Sequence, residues 1–238
     1  MAVKTTRKAA KGRKARALSR LRRWLWRGLL ALAGFFAGLV VLFALVNPPT
    51  TITILGERLR LGAVQREWVA WGRIAPVMAR AAVAAEDANF CLHWGFDMAA
   101  IRAAVDEGGG RGASTISQQV VKNVFLWQGR SWTRKAMEAV LTPLVELVWT
   151  KRRILEVYLN VAEFGEGVFG VQAAAQLFFG VDAADLTPAQ AARLAAVLPD
   201  PKRRDPAVPG PFVRKRAAQV VAGAETIAAD GRAACFEE

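Results

Sequence analysis

The hydrophobic pattern divides the chain near residue 47. Before that point GLLALAGFFAGLVVLFALV, residues 28–46, runs nineteen residues without a charge. As a helix it would be roughly 28 Å long, about the thickness of a bilayer's hydrocarbon core. Asn47, Pro48 and Pro49 stop it. Beyond it, residues 50–72 open on a β-branched alternation (TTITILGERLRL) that predicts a short strand or connector. From Ile74 onward apolar positions recur at helical spacing.

Local signals bound these helices. APVMARAAVAAED reads as one, and Asp97 is a good N-cap for MAAIRAAVDE, which the glycines 108–110 end. Ser114 or Thr115 opens STISQQVVKNVFL, and Ser131 can cap WTRKAMEAV, which continues through LTPLVELVWT. Pro143 should kink or divide that last segment. KRRILEVYLNVAEF, GVQAAAQLFF, TPAQAARLAAVL and FVRKRAAQVVAGAETIAA are four more helical patterns, and residues 199–211 make a proline-rich crossing loop. The expected fold class is mostly α: a basic tail (1–27), a transmembrane helix (28–46), a connector (47–72) and a globular domain (73–238).

Composition adds one large fact, a net charge of +13. Eleven of the 33 Lys and Arg lie in residues 1–27, where there is no acid; the remaining 22 stand against 20 acids. The excess is therefore a tail in front of an apolar segment, not a nucleic-acid surface. It predicts a cytoplasmic N-terminus with everything after residue 47 exported, and contact with anionic membrane lipids. Trp24 and Trp26 sit where an interfacial belt would. The apolar run exceeds a typical signal-peptide core and no small-x-small site precedes Asn47, so it reads as a retained anchor. Cys91 and Cys235 lie 144 positions apart, a spacing that fits no metal site and leaves a disulfide open.

Chemistry is concentrated in a few stretches. AAEDANFCLHWGFD holds adjacent acids, Glu86 and Asp87, and the single histidine, His93. Adjacent helix positions point about 100° apart, so both acids cannot face one spot. Gln118, Gln119 and Lys122 share a helical face that suits sugar and phosphate, although the pattern alone favours a solvated polar face. Arg134 and Glu138 form an i,i+4 pair that on an exposed helix would be worth only a few tenths of a kcal/mol. Tyr158, the single tyrosine, reads as a core residue with a polar end. No Ser-x-x-Lys acylation site and no zinc spacing occurs.

Taken in order, several strings resemble a known family. E-D-x-x-F-x-x-H-x-G-x-D (86–97), G-A-S-T-I-S-Q-Q-x-x-K-N (112–123), R-K-x-x-E (134–138) and K-x-x-I-L-x-x-Y-L-N (151–160) follow the motif order of the family 51, or peptidoglycan, glycosyltransferases. A-E-F-G-x-G-x-F-G-V-x-A-A-A (162–175) and L-T-P-A-Q-A-A-R-L-A-A-V-L-P (186–199) extend the match over roughly residues 65–215. The resemblance implies a lysozyme-like, mostly α domain without a transpeptidase, partly dipping into the bacterial inner membrane from the periplasm. It implies polymerisation of lipid II onto a growing glycan strand, with release of polyprenyl diphosphate.

By motif position Glu86 matches the family's general base and Glu138 its second essential acid. Lys122 and Arg130 match the diphosphate contacts, with Arg134 and Lys135 adding charge. Gln118, Gln119, Ser114 and Thr115 match sugar or phosphate contacts, while Asp87 and His93 shape the turn. A divalent cation, Mg or Mn, is an option at the diphosphate, and other cell-wall or division proteins are candidate partners. Pro143 and Ser117, in place of the more usual threonine, depart from the pattern. Two alternatives stay open: a glycan-cleaving enzyme of similar architecture, which needs no diphosphate cations, and a non-catalytic wall scaffold.

Overall fold

The computed structural model describes residues 3–108, 112, 114–129 and 131–237, with side chains described from residue 18 onward. It comprises two units, one ending at Leu45 and one beginning at Val46. The first is a single helix, α1 (Val3–Leu45). Its stretch Leu18–Leu45 is long and apolar enough to cross a membrane and almost wholly unburied, as fits a single-pass anchor.

The second unit is mostly α. It begins with α2 (Ile52–Leu61), where the β-branched alternation predicts a strand or connector. The helix wins because the Thr51 hydroxyl caps the amide of Ile54 at 3.2 Å, while β-branching costs a helix only a few tenths of a kcal/mol per residue. A minimal sheet follows. β1 (Gln65–Arg66) pairs in parallel with β3 (Val168–Phe169), which pairs antiparallel and irregularly with β2 (Glu163–Gly165). The remaining helices are α3 (Pro76–Glu86), α4 (Met98–Asp106), α5 (Ile116–Phe125), α6 (Trp132–Val148), α7 (Lys151–Val161), α8 (Val171–Phe179), α9 (Pro188–Val197), α10 (Pro211–Ala229) and α11 (Ala234–Glu237).

Two packed groups of helices position the site. Helices α3, α9 and α10 form one, built on Met78, Ala82, Val83, Leu194, Val213 and Val220, all buried. Small residues let these helices approach: a Cβ on Gly223 would lie 3.2 Å from that of Ala84. Helix α5 packs on α6 and α7 in the other, through Ile116, Val120, Leu141, Val145, Ile154 and Leu155. Pro143 does not divide α6, which runs through it to Val148. Asn160 holds the connector, its Oδ1 accepting from Val69 N at 2.8 Å and its Nδ2 donating to Val69 O at 3.0 Å.

The two cysteines form a disulfide, Cys91–Cys235, which sequence spacing leaves open.

Candidate active site

Glu86 is the last residue of α3, and its half-buried carboxylate leaves the helix toward α5. There Gln119 Nε2 donates to Glu86 Oε2 at 2.8 Å. Burial pushes the Glu86 carboxyl above the usual range; the Gln119 bond and the charges of Arg216 and Lys122 pull the other way. Tyr158 donates to Gln119 Oε1 at 3.4 Å, which turns the amide nitrogen toward Glu86. Burial, together with the negative charges of Glu86 and Asp87, raises the phenol well above its ordinary value and keeps it a donor.

The neighbouring acid has a different task. Asp87 Oδ1 lies 2.8 Å from His93 Nε2, and Asp87 Oδ2 accepts from Ile116 N at 3.0 Å, at the first turn of α5. One carboxylate thus ties the loop to the helix that carries Gln118, Gln119 and Lys122. Thr115 completes that start with a capping box, its hydroxyl also donating to Gly95 O at 2.7 Å. Gly95 has φ +84, and a Cβ there would meet Thr142 Cγ2 at 2.6 Å, so only glycine fits.

Glu138 sits on α6 with its side chain 3% exposed, so its pairing is not the exposed-helix contact the spacing alone would give. Arg134 Nη1 donates to its Oε2 at 2.7 Å, Lys135 Nζ to its Oε1, and Gln118 Nε2 to Oε1 at 3.3 Å. Gln118 and Gln119, adjacent on α5, therefore address different acids, as a 100° turn requires. They are not a common solvated face: Gln118 is buried. Lys122, one turn on from both, feels the attraction of Glu138 and Glu86 while burial and the cations Arg134 and Lys135 lower its pKa. Helix α5 is thus the bridge between the Glu86 carboxylate at the end of α3 and a cationic end.

Two clefts flank the Glu86–Gln119 bond. One, of about 280 Å³, is lined by Glu86, Asp97, Ser114, Thr115 and Arg216. The other, of about 320 Å³, is lined by Gln119, Lys122, Asn123, Tyr158, Glu163 and Lys202. Of the sequence-predicted site residues, Glu86, Gln119 and Lys122 converge directly, and Gln118, Glu138, Arg134 and Lys135 form a second cluster joined to them through α5. Ser114 is exposed at the first cleft, and Arg130 lies outside the described residues. Among the described residues no three or more His, Cys, Asp and Glu gather as metal ligands. Beside Glu138 lie the cations Arg134 and Lys135.

Sequence reasoning missed Arg216 and Lys202. Arg216 donates to Ala85 O at 2.8 Å and places its charge beside Glu86. The signal was present: Arg216 falls on the stripe of Val213, Ala217 and Val220, which is buried. Lys202 pairs with Glu57 at 2.6 Å, and nothing in the crossing loop marks it out from Arg203 and Arg204.

A family profile described as Transglycosylase matches residues 53–225. A biosynthetic peptidoglycan transglycosylase of Jannaschia sp. (strain CCS1) is 59% identical over 236 residues, covering 98% of this chain and 99% of that protein. Proteins of the same name are 52% identical in Xanthomonas axonopodis pv. citri (87% and 89% covered) and 50% identical in Pseudomonas aeruginosa PAO1 (78% and 86% covered).

Proposed function

This chain belongs to the transglycosylase family and is a peptidoglycan glycosyltransferase, and from that premise we propose how its site divides the reaction. The substrates are lipid II, a disaccharide-peptide joined through diphosphate to a polyprenyl chain, and the growing glycan strand. A hydroxyl of the acceptor sugar attacks the donor's anomeric carbon, the configuration inverts, and the lipid diphosphate leaves. Glu86 takes the hydroxyl proton, and its raised pKa makes it a better base once ionised. Gln119 holds the carboxylate in place. Lys122, Arg134 and Lys135 take up the charge that develops on the diphosphate, and Glu138 holds the last two cations in register. Arg130 joins them by motif position.

The observation that carries this reading is the bridge formed by α5. One helix joins a base-bearing carboxylate at Gln119 to a cation-bearing carboxylate at Gln118, with Lys122 between. A glycan-cleaving enzyme needs the first acid but has no use for the cations.

We further place the catalytic unit in the periplasm with the N-terminus in the cytoplasm. The basic flank supports this, as does the Cys91–Cys235 disulfide, which belongs in an oxidising compartment.

The test is the full chain in detergent with labelled lipid II, products separated by size. Native protein should yield long strands, and Glu86→Gln should fold yet polymerise about 10³-fold more slowly. Full activity in that variant removes Glu86 from the role, and digestion of finished peptidoglycan favours the cleaving alternative.

A further inference from the structure

The disulfide joins the loop that follows Glu86 to the C-terminal segment, and the surroundings of that junction are built. Cys91 lies in the turn Phe90–Leu92, five residues after Glu86 and two before His93. Cys235 lies in α11, whose next residue, Phe236, is fully buried between Trp71 and Phe90, each 6.4 Å away by ring centroid. Four further contacts hold this segment down. Arg80 pairs with Glu237 at 2.9 Å; Arg152 donates to Phe236 O at 3.2 Å and to Glu237 O at 3.1 Å; Arg232 donates to Ala88 O at 3.0 Å.

From this junction a continuous series of contacts reaches the first turn of α5 by two routes. Phe90 packs edge-on against His93, 6.4 Å between centroids, and carries the Lys151 ammonium 4.4 Å over its ring. His93 meets Asp87, and Asp87 holds the first turn of α5. Lys151 donates to His93 O and to Glu146 Oε1, both at 2.8 Å, and Glu146 accepts from Ser117 on α5. A short helix of four residues at the far end of the sequence thus backs the loop on which the base depends.

We propose that the Cys91–Cys235 bond is a positioning device for the loop that follows Glu86, so that turnover rises when it is oxidised. This rests on the role given to Glu86 above. Closing the bond removes two electrons and two protons from the two thiols. A disulfide-bearing oxidant takes them up by thiol–disulfide exchange, its own disulfide becoming two thiols. In a reducing compartment the C-terminal segment keeps only its noncovalent contacts, the loop opens more often, and Glu86 spends less time in the geometry that accepts a proton.

The experiment compares three preparations of the full chain in detergent: native oxidised, native held in dithiothreitol, and the Cys91→Ser/Cys235→Ser variant. With labelled lipid II, kcat should fall about tenfold in the last two while KM moves less than about twofold. Reoxidation should restore the native protein and leave the variant unchanged. Amide hydrogen exchange without substrate supplies the second readout. Amides of residues 88–93 should exchange about tenfold faster after reduction, with α7 and α9 unaltered.

Equal kcat in oxidised and reduced protein overturns the proposal. Unchanged exchange in 88–93 overturns it too, as does acceleration spread over α7 and α9, which would make the bond a general staple. Polymerisation in neither redox state sinks the functional reading instead, and the exchange data then still decide the clamp. If the variant does not fold, the native reduced protein carries both measurements.

Discussion

Glu86 must be half out of water to be a useful base and must still ionise to work. Burial raises its pKa, while Gln119, Arg216 and Lys122 draw it back. With Glu86 as the proposed base, activity should show an acid limb, lost as pH falls through the pKa of Glu86. Removing a group that lowers this pKa moves the limb to higher pH, and Gln119→Leu should do so in a kcat–pH profile. The same logic gives a stability effect. A carboxyl whose folded pKa is raised favours the fold below its unfolded pKa, and that contribution disappears as pH rises through the folded value. Glu86→Gln should then melt above native protein at pH 7, with the gap closing near pH 4 in a thermal scan. Lys122→Ala should lower kcat about 10²-fold with folding intact, the size of one lost donor to a developing oxyanion; native turnover would detach Lys122 from the leaving group. Glu86, Lys122 and Glu138 were legible in the sequence because their neighbours form recognisable strings. Arg216 stands in a run of three cations, and only its place on the stripe of Val213, Ala217 and Val220 sets it apart from Arg214 and Lys215.

At the scale of elements, capping and helical spacing made the long helices readable. Thr115, Ser131 and Thr150 each cap the helix that follows. Helix α2, the small sheet and the short α11 escaped. Helix α2 carries strand-forming residues, but a cap at Thr51 outweighs a local preference that finds no partner strand. The sheet pairs β1 with a strand about a hundred positions on, and its strands of two or three residues are too short for periodicity to show. Buried polar contacts between elements are equally silent in the sequence. Lys151 and Glu146 are an example: the pair lies between α6 and α7, with side chains 13% and 2% exposed. Lys151→Met leaves the buried Glu146 carboxyl without its cation, and urea denaturation should record a loss of about 3 kcal/mol. A cost under about 0.5 kcal/mol would mean that Ser117 alone holds Glu146.

For the whole molecule, the anchor and the catalytic unit solve one physical problem, that the substrate never leaves the membrane. Holding the enzyme in the same two dimensions raises the effective concentration of substrate without any new contact. Because the unit beginning at Val46 has its own core, a version lacking residues 1–45 should fold. On lipid II in vesicles it should polymerise at least about tenfold more slowly than the full chain. In detergent the two should be nearly equal. Equal rates in vesicles as well would show that the catalytic unit reaches the bilayer unaided. The apolar helix that fits an anchor was legible from hydropathy alone. The pairing of Cys91 with Cys235 was not, since the fold and not the spacing brings residues 144 apart together.

That same pairing sets an order in time. Ribosomes make the chain from its N-terminus, so the membrane helix and the base-bearing loop both exist long before Cys235 does. A nascent polymerase, already threaded into its membrane and surrounded by substrate, still lacks the piece that backs its own active loop. On the proposal above, full turnover waits for Cys235 to be made and oxidised, and a product cut short before it should build strands more slowly.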